Sequence, residues 1–362
     1  MASPRTLRPG LTGQDQDGRT RAVPARALTP GPLRAVFGDL LGRSPFAAER
    51  LAWAGHGLDA FLTETLGSDA FWAHWWEEQL YYLLLVDSFR PETKRTLGTP
   101  GDLAAGRSDV RDALHRAALT PTFDLRNPGA DTFVTVIMEQ FCGLAVDTQR
   151  SELEAGKTAY DGGPARFLGK MAENQSDVIR IAVESKQATR HFLRREYLRL
   201  LRVEPDKKQL TKDVRTVYKN PRAFLDVLRA WLISDTYQAR LKLRFPKTNR
   251  LYIRSLFVDL GDQLPQEVEL ESMRTALDGL ADPRPLRSVL TRMLLGSEKA
   301  QVPARKSIAD PTRWIAECFQ RFLGRDAEQE ELRVYATAFH QPDCKPSTIL
   351  YALLTHPDYH QL

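Results

Sequence analysis

The chain has 362 residues, of which 42% are hydrophobic and 27% charged, a balance that supplies a real core and excludes a wholly disordered polypeptide. Its formal net charge is only +5, and the longest unbroken apolar run, Leu80 to Val86, falls far short of the roughly 20 residues needed to span a bilayer, which excludes a membrane span. Three cysteines, Cys142, Cys318 and Cys344, occur with no CxxC or CxxCH, so a disulfide framework, a cysteine-based zinc site and covalent haem are not expected.

Residues 1–30 carry charge, Gly and Pro without an apolar leader core, and read as a disordered basic tail. A native N-terminus implies a cytoplasmic protein; removal of a leader implies the cell envelope or secretion. The next segment pairs LRAVFGDLLGRSPFAAERL (Leu33 to Leu51) with LDAFLTETLGSDAFW (Leu58 to Trp72). An amphipathic helix there ends at Leu-Gly-Arg, where glycine can adopt a left-handed cap. A second helix starts within an acidic, proline-tolerant stretch, and a third with i, i+3, i+4 apolar spacing closes at a serine followed by an aromatic residue.

A loop-rich insertion follows, roughly residues 73 to 130. It opens with FWAHWWEEQLYYLLLV (Phe71 to Val86), in which Trp72, Trp75, Trp76 and Leu80 share one helical face. That face is either core or an aromatic groove, and Trp72, Trp75, Trp76, Tyr81 and Tyr82 are its candidate partner-binding residues. His74, Glu77 and Glu78 lie within one turn, but no second HxxE or ExxH helix completes a metal site, and no metal or other cofactor is expected. Arg90 to Val110, Thr120 to Asp131 and Ala159 to Gly169 read as turn-rich loops.

The pattern of the first segment then recurs. VTVIMEQFCGLAVDTQRSEL (Val134 to Leu153) places Met138 at the anchor position 59 residues before Tyr197, and Asp177 to Ala188 supplies its closing helix. The β-branched start of this copy, Thr132 to Ile137, reads as helix through its continuation into MEQF. Later copies pair Phe192 to Leu210 with Phe224 to Gln238, Tyr252 to Leu270 with Leu286 to Ala300, and Trp314 to Leu332 with Ser347 to His360. Their anchors Tyr197, Phe257 and Phe319 are 60 and 62 residues apart. The expectation is an all-α array of about five degenerate repeats of roughly 60 residues. Its domains would be a first repeat with the Trp-rich insertion over 31–131 and four repeats over 132–190, 191–248, 249–305 and 306–362.

Charge is uneven along this array. Arg190 to Arg254 holds 18 Lys/Arg against six Asp/Glu, so the remainder of the chain is net negative. Arg194, Arg195, Arg199 and Arg202 recur at helical spacing, and Lys242 and Arg244 sit in a basic loop. These six are the candidate residues for an acidic protein partner, an anionic ligand or nucleic acid; the scarcity of interleaved aromatics weighs against nucleic acid. There is no GxSxG, P-loop or dinucleotide fingerprint. Of the seven histidines only His356 and His360 lie at i, i+4, and Pro357 interrupts their helix.

Leu40 to Arg43, Pro45, Glu49, Leu66, Ser68, Phe71 and Trp72 to Trp76 give a Leu-Leu-Gly-Arg-x-Pro start, a glutamate, a Ser-x-x-aromatic cap and a tryptophan-bearing helix. This string resembles the helical domains found beside cytochrome c modules in planctomycete-type surface proteins, and Thr132 to Val146 is similar to a later helix of those domains. The closing LGR…LLTHPDYH unit resembles repeat modules of bacterial surface and phycobilisome-linker type. Together the likeness covers about half the chain. It departs from the cytochrome-associated pattern in lacking a haem motif and a leader, so no haem is expected. The resemblance implies a bacterial accessory or assembly role. The leading expectation is a non-catalytic scaffold that presents helical grooves to a protein partner. The competing expectations are a cofactor-binding enzyme with its site at the aromatic helix, and nucleic-acid binding through 190–254.

Overall fold

The computed structural model describes residues 27–84 and 98–362. Among them the chain is all-α: twenty α-helices, a few short 3-10 and π turns, and one antiparallel hairpin of two three-residue strands, Ala165–Phe167 and Lys170–Ala172. Most of the expected N-terminal tail lies outside the described residues. Its last residues are packed: Ala27 bridges Gly57, Leu28 is buried, and the Leu28 amide donates to the His56 carbonyl at 2.8 Å. The first helix, Pro30–Leu41, begins directly afterwards.

The three stretches read as loops each contain regular structure. Thr99–Ala104 and Pro121–Arg126 are short helices, with Val110–Ala118 between them. Their turn-like residues are N-terminal caps: Asp109 accepts from the Arg111 and Asp112 amides, and Thr120 accepts from the Phe123 amide ahead of Pro121. Ala159 to Gly169 contains the first strand of the hairpin, whose three-residue strands are too short to show alternation in sequence.

The described residues form two compact units. One is discontinuous, joining residues 27–65 to 241–362; the other comprises residues 66–240. In the first, Tyr252, Leu256, Phe257, Phe319, Phe322 and Leu353 are core residues. Three of its helices end on left-handed residues, Gly42 (φ 62°), Asp262 (φ 53°) and Gly324 (φ 67°), and each end leads into a helix whose third residue is a glutamate. Each glutamate turns back to a backbone amide: Glu49 to Phe46 at 2.8 Å, Glu269 to Gln266 at 3.1 Å and Glu331 to Glu328 at 2.8 Å. Each also holds a cation, from Arg43, Lys299 and Arg325 respectively. This is the carboxylate half of a capping box, reinforced by an ion pair.

The stop at Leu260-Gly261-Asp262 differs from the glycine cap that the sequence suggests. Asp262, not Gly261, takes the left-handed conformation. Gly261 is needed for space, since a Cβ there would lie 2.4 Å from the Lys299 carbonyl oxygen. Gly324 meets both demands at once: its φ is positive and a Cβ would sit 2.8 Å from the Gly31 Cα, so two backbones cross in contact.

In the second unit the helices Asp69–Leu84 and Lys186–Leu201 carry the main aromatic core. Trp75 meets Phe192 edge-on at 6.1 Å and Phe224 at 6.2 Å. Helix ends at Gly143 (φ 64°) and Arg202 (φ 59°) are again left-handed. Met138 lies in a π turn, Ile137–Phe141, just ahead of the first of these.

Candidate functional site: buried polar clusters and an apolar cleft

The Trp-rich helix is buried around most of its circumference. Trp72, Trp75 and Trp76 are at most 4% exposed, and Phe71, His74, Gln79, Leu80, Leu83 and Leu84 are buried with them. The tryptophans therefore serve as core residues and offer almost no surface to a partner in this conformation. Tyr81 alone among the candidate aromatics is well exposed, at 39%. Burial exceeds a single stripe because His74 and Gln79, polar in sequence, also turn inward.

Gln79 is the centre of a cluster that sequence spacing does not reveal. Its amide nitrogen donates to Glu196 at 3.0 Å, its carbonyl oxygen accepts from Arg195, and Arg199 pairs with Glu196 at 3.0 Å. The Arg195 guanidinium lies 3.8 Å above the Tyr82 ring, and the Tyr82 hydroxyl is 3.3 Å from His191 Nε2. Burial pushes the Glu196 carboxyl up, but Arg199 and Arg195 outweigh that and hold it below its ordinary range. Tyr82, Arg195 and Arg199 are thus brought together, largely in support of a buried carboxylate.

Other candidate cations stay outside. Arg194 is exposed and paired with Glu204, Arg202 closes its helix at the surface, and Lys242 is exposed. Arg244 is exposed too, 3.6 Å from Asp358 and 3.5 Å from the Leu323 carbonyl. Arg240, Lys247 and Arg250 are buried, so the charge surplus counted over 190–254 overstates the basic surface. Among the described residues, no group of three or more His, Cys, Asp or Glu has a metal-binding arrangement. His356 caps a 3-10 turn over Pro357–His360, and His360 instead stacks flat on Tyr252 at 5.4 Å.

The discontinuous unit encloses a larger ionic network. Asp259 receives a two-pronged pair from Arg34, at 3.0 and 2.9 Å, with further donors from Tyr359 at 2.9 Å and Ser44 at 3.3 Å. Burial raises the Asp259 carboxyl, and Arg34, Lys247 and Arg50 overcome it and hold it down. Lys247 donates to the Tyr359 carbonyl at 2.6 Å and lies over that ring at 4.1 Å. Arg287 continues the chain of bonds to the Lys247 carbonyl, Asn249 and His360. The buried thiols of Cys142 and Cys318 are pushed up to about 12, which removes thiolate chemistry at neutral pH.

Next to this network lies a cleft of about 380 Å³, lined by Leu260, Val302, Trp314, Cys318, Phe322 and Leu350, with Asp259, Arg321 and Gln301 as its polar residues. Its size falls in the range of small-molecule pockets. Arg321 sits in a second π turn, Phe319–Leu323, a helix distortion often found at functional sites. The Arg321 carbonyl accepts from Arg34 at 2.6 Å, and its guanidinium donates to the Asp259 carbonyl. In the other unit a cavity of about 200 Å³ is bordered by Trp72, Ser108, Arg222 and Phe224.

Acid sensitivity follows from two histidines. Burial, then Arg195 and Arg194, push His191 down to about 4; burial, then Arg287 and Lys247, do the same to His360. Between the ordinary value near 6.5 and about 4 the unfolded chain takes up protons that the folded chain refuses. Stability is therefore full above pH 6.5 and falls as pH drops toward 4. Thermal unfolding followed from pH 7.5 to 4.5 should show this decline, and a His191→Gln, His360→Gln variant should show a shallower one.

No protein-family model, no curated protein and no solved structure matches this chain.

Proposed function

We propose that the chain is a non-catalytic bacterial scaffold, an array of about five degenerate helical repeats with a Trp-rich insertion, that binds a protein or anionic partner. The observation that carries this reading is the recurrence of a left-handed helix end at near-constant spacing. Left-handed helix ends at Gly143, Arg202, Asp262 and Gly324 lie 59, 60 and 62 residues apart, with Gly42 closing the first helix of the chain. Short helices of this kind bury little alone and gain their stability by stacking. The proposed repeats span 31–131, 132–190, 191–248, 249–305 and 306–362.

The chemistry of the buried groups supports the same reading. Acid–base catalysis needs a group that exchanges protons near neutrality. Here Asp259 and Glu196 are held down, the two buried thiols are pushed up, and the partners responsible are internal to each unit. Such groups serve cohesion.

Lys242 and Arg244, exposed and close in sequence, are the cations best placed to meet an acidic partner. The test is affinity capture from a bacterial lysate with the chain and with a Lys242→Glu, Arg244→Glu variant, read by quantitative mass spectrometry, beside a small-molecule turnover screen. A partner held by the chain and depleted at least tenfold by the variant is expected. Equal recovery by both proteins, or turnover of a small molecule with no partner, overturns the reading. Nucleic acid as the anionic partner would show binding that falls steeply with added salt.

A further inference from the structure

We infer that the cleft beside Trp314 is a binding site for a small molecule that joins an apolar body to a carboxylate. The inference goes beyond the scaffold reading and does not depend on it. Walls from Trp314, Phe322, Leu350 and Val302 make most of the cleft apolar, which suits a hydrocarbon chain or ring. Two charged residues, Arg321 and Asp259, line it, and the Asp259 carboxylate is already held by Arg34, Tyr359 and Ser44.

Arg321 has capacity left for an anion. Its Nη2 is engaged by the Asp259 carbonyl, while its Nε is buried and has no partner among the described residues. The guanidinium thus keeps donor capacity that Asp259 does not use. Local charge points the same way. Three guanidiniums, Arg34, Arg50 and Arg321, gather around two carboxylates, Asp259 and Asp262. The Asp259 oxygens are taken by Arg34, Tyr359 and Ser44, and an Asp262 oxygen accepts from the Ala47 amide at 2.6 Å. With the Lys247 amine also beside Asp259, cationic groups outnumber carboxylates here. The effect is felt at Arg50, which burial and then the Arg321 charge push down to about 10. Gln301, exposed at the rim, donates one amide hydrogen to the Gly261 carbonyl and carries no charge, so the guanidinium is the stronger partner for an anion. The carboxylate is thereby assigned to Arg321, with the apolar body along Trp314 and Leu350.

The test uses the full chain in titration calorimetry, with octanoate as probe and octanamide as its uncharged counterpart. Octanoate should bind one per chain and at least tenfold more tightly than octanamide. Arg321→Gln should bring octanoate to the octanamide level, and Arg321→Lys should restore most of the difference. Val302→Trp, which fills the cleft from its rim, should abolish both. Because Arg321 also holds the Asp259 carbonyl, each variant's thermal unfolding is recorded; if Arg321→Gln unfolds, Arg321→Lys and Val302→Trp carry the comparison. Equal affinity for the two probes, octanoate binding that survives Val302→Trp, or no saturable binding of octanoate or 3-phenylpropionate up to about 1 mM overturns the assignment.

Discussion

Asp259→Ala should destabilise the discontinuous unit by about 3–5 kcal/mol, the cost of removing one partner from a buried ion pair. The aspartate is 1% exposed, and its removal strands Arg34, itself 7% exposed, with the Arg321 carbonyl and the Tyr359 hydroxyl as its remaining partners among the described residues. Tyr359 and Ser44 lose an acceptor in the same step. The readout is a fall in the unfolding midpoint of about 10 °C or more, given the size of the unit. The double variant Asp259→Leu, Arg34→Met removes both charges and should recover much of the loss, because an apolar pair of similar volume often replaces a buried ion pair without penalty. If the double variant is as unstable as the sum of the single ones, the pair is not coupled as the geometry requires.

Trp75→Ala should cost about 3–5 kcal/mol in the other unit, as for other fully buried large aromatics. Trp75 is 1% exposed and touches Trp72, Phe192 and Phe224, so its loss opens a cavity where two long helices meet. The same substitution separates the two roles that sequence offers for this helix. A core residue lowers the unfolding midpoint; a groove residue leaves it in place and weakens binding. The expected result is a lowered midpoint in thermal or urea unfolding.

The helical class is legible in the sequence because apolar residues recur at helical spacing and strand-like alternation is absent. Helix ends are partly legible. Gly42, Gly143 and Gly324 announce themselves, since only glycine enters the left-handed region at no steric cost. Arg202 and Asp262 adopt the same conformation while carrying side chains, and composition gives no sign of it. The short helices between residues 99 and 126 are hidden because Pro, Thr and Asp serve both turns and helix starts.

The polar clusters are not legible at all. Arg34 and Asp259 are 225 residues apart, and Gln79 and Glu196 are 117 apart. No local pattern distinguishes an arginine that pairs across such a distance from one that faces water. For the same reason the basic stretch over 190–254 looks more exposed in sequence than it is, with Arg240, Lys247 and Arg250 spent inside. Arg321 is likewise ordinary in sequence; its interest lies in the π turn that carries it and in the unfilled bond of its Nε.

The discontinuous unit also constrains how the protein is made. The helices Pro30–Leu41 and Ala47–Trp53 are synthesised well before the residues that hold them: Asp259 follows Arg34 by 225 residues, and Gly324 and Tyr359 come later still. At ordinary translation speeds the apolar faces of these helices wait about fifteen to sixty seconds for those contacts. During that interval those faces are open to other chains and to chaperones, as apolar surface exposed during synthesis generally is.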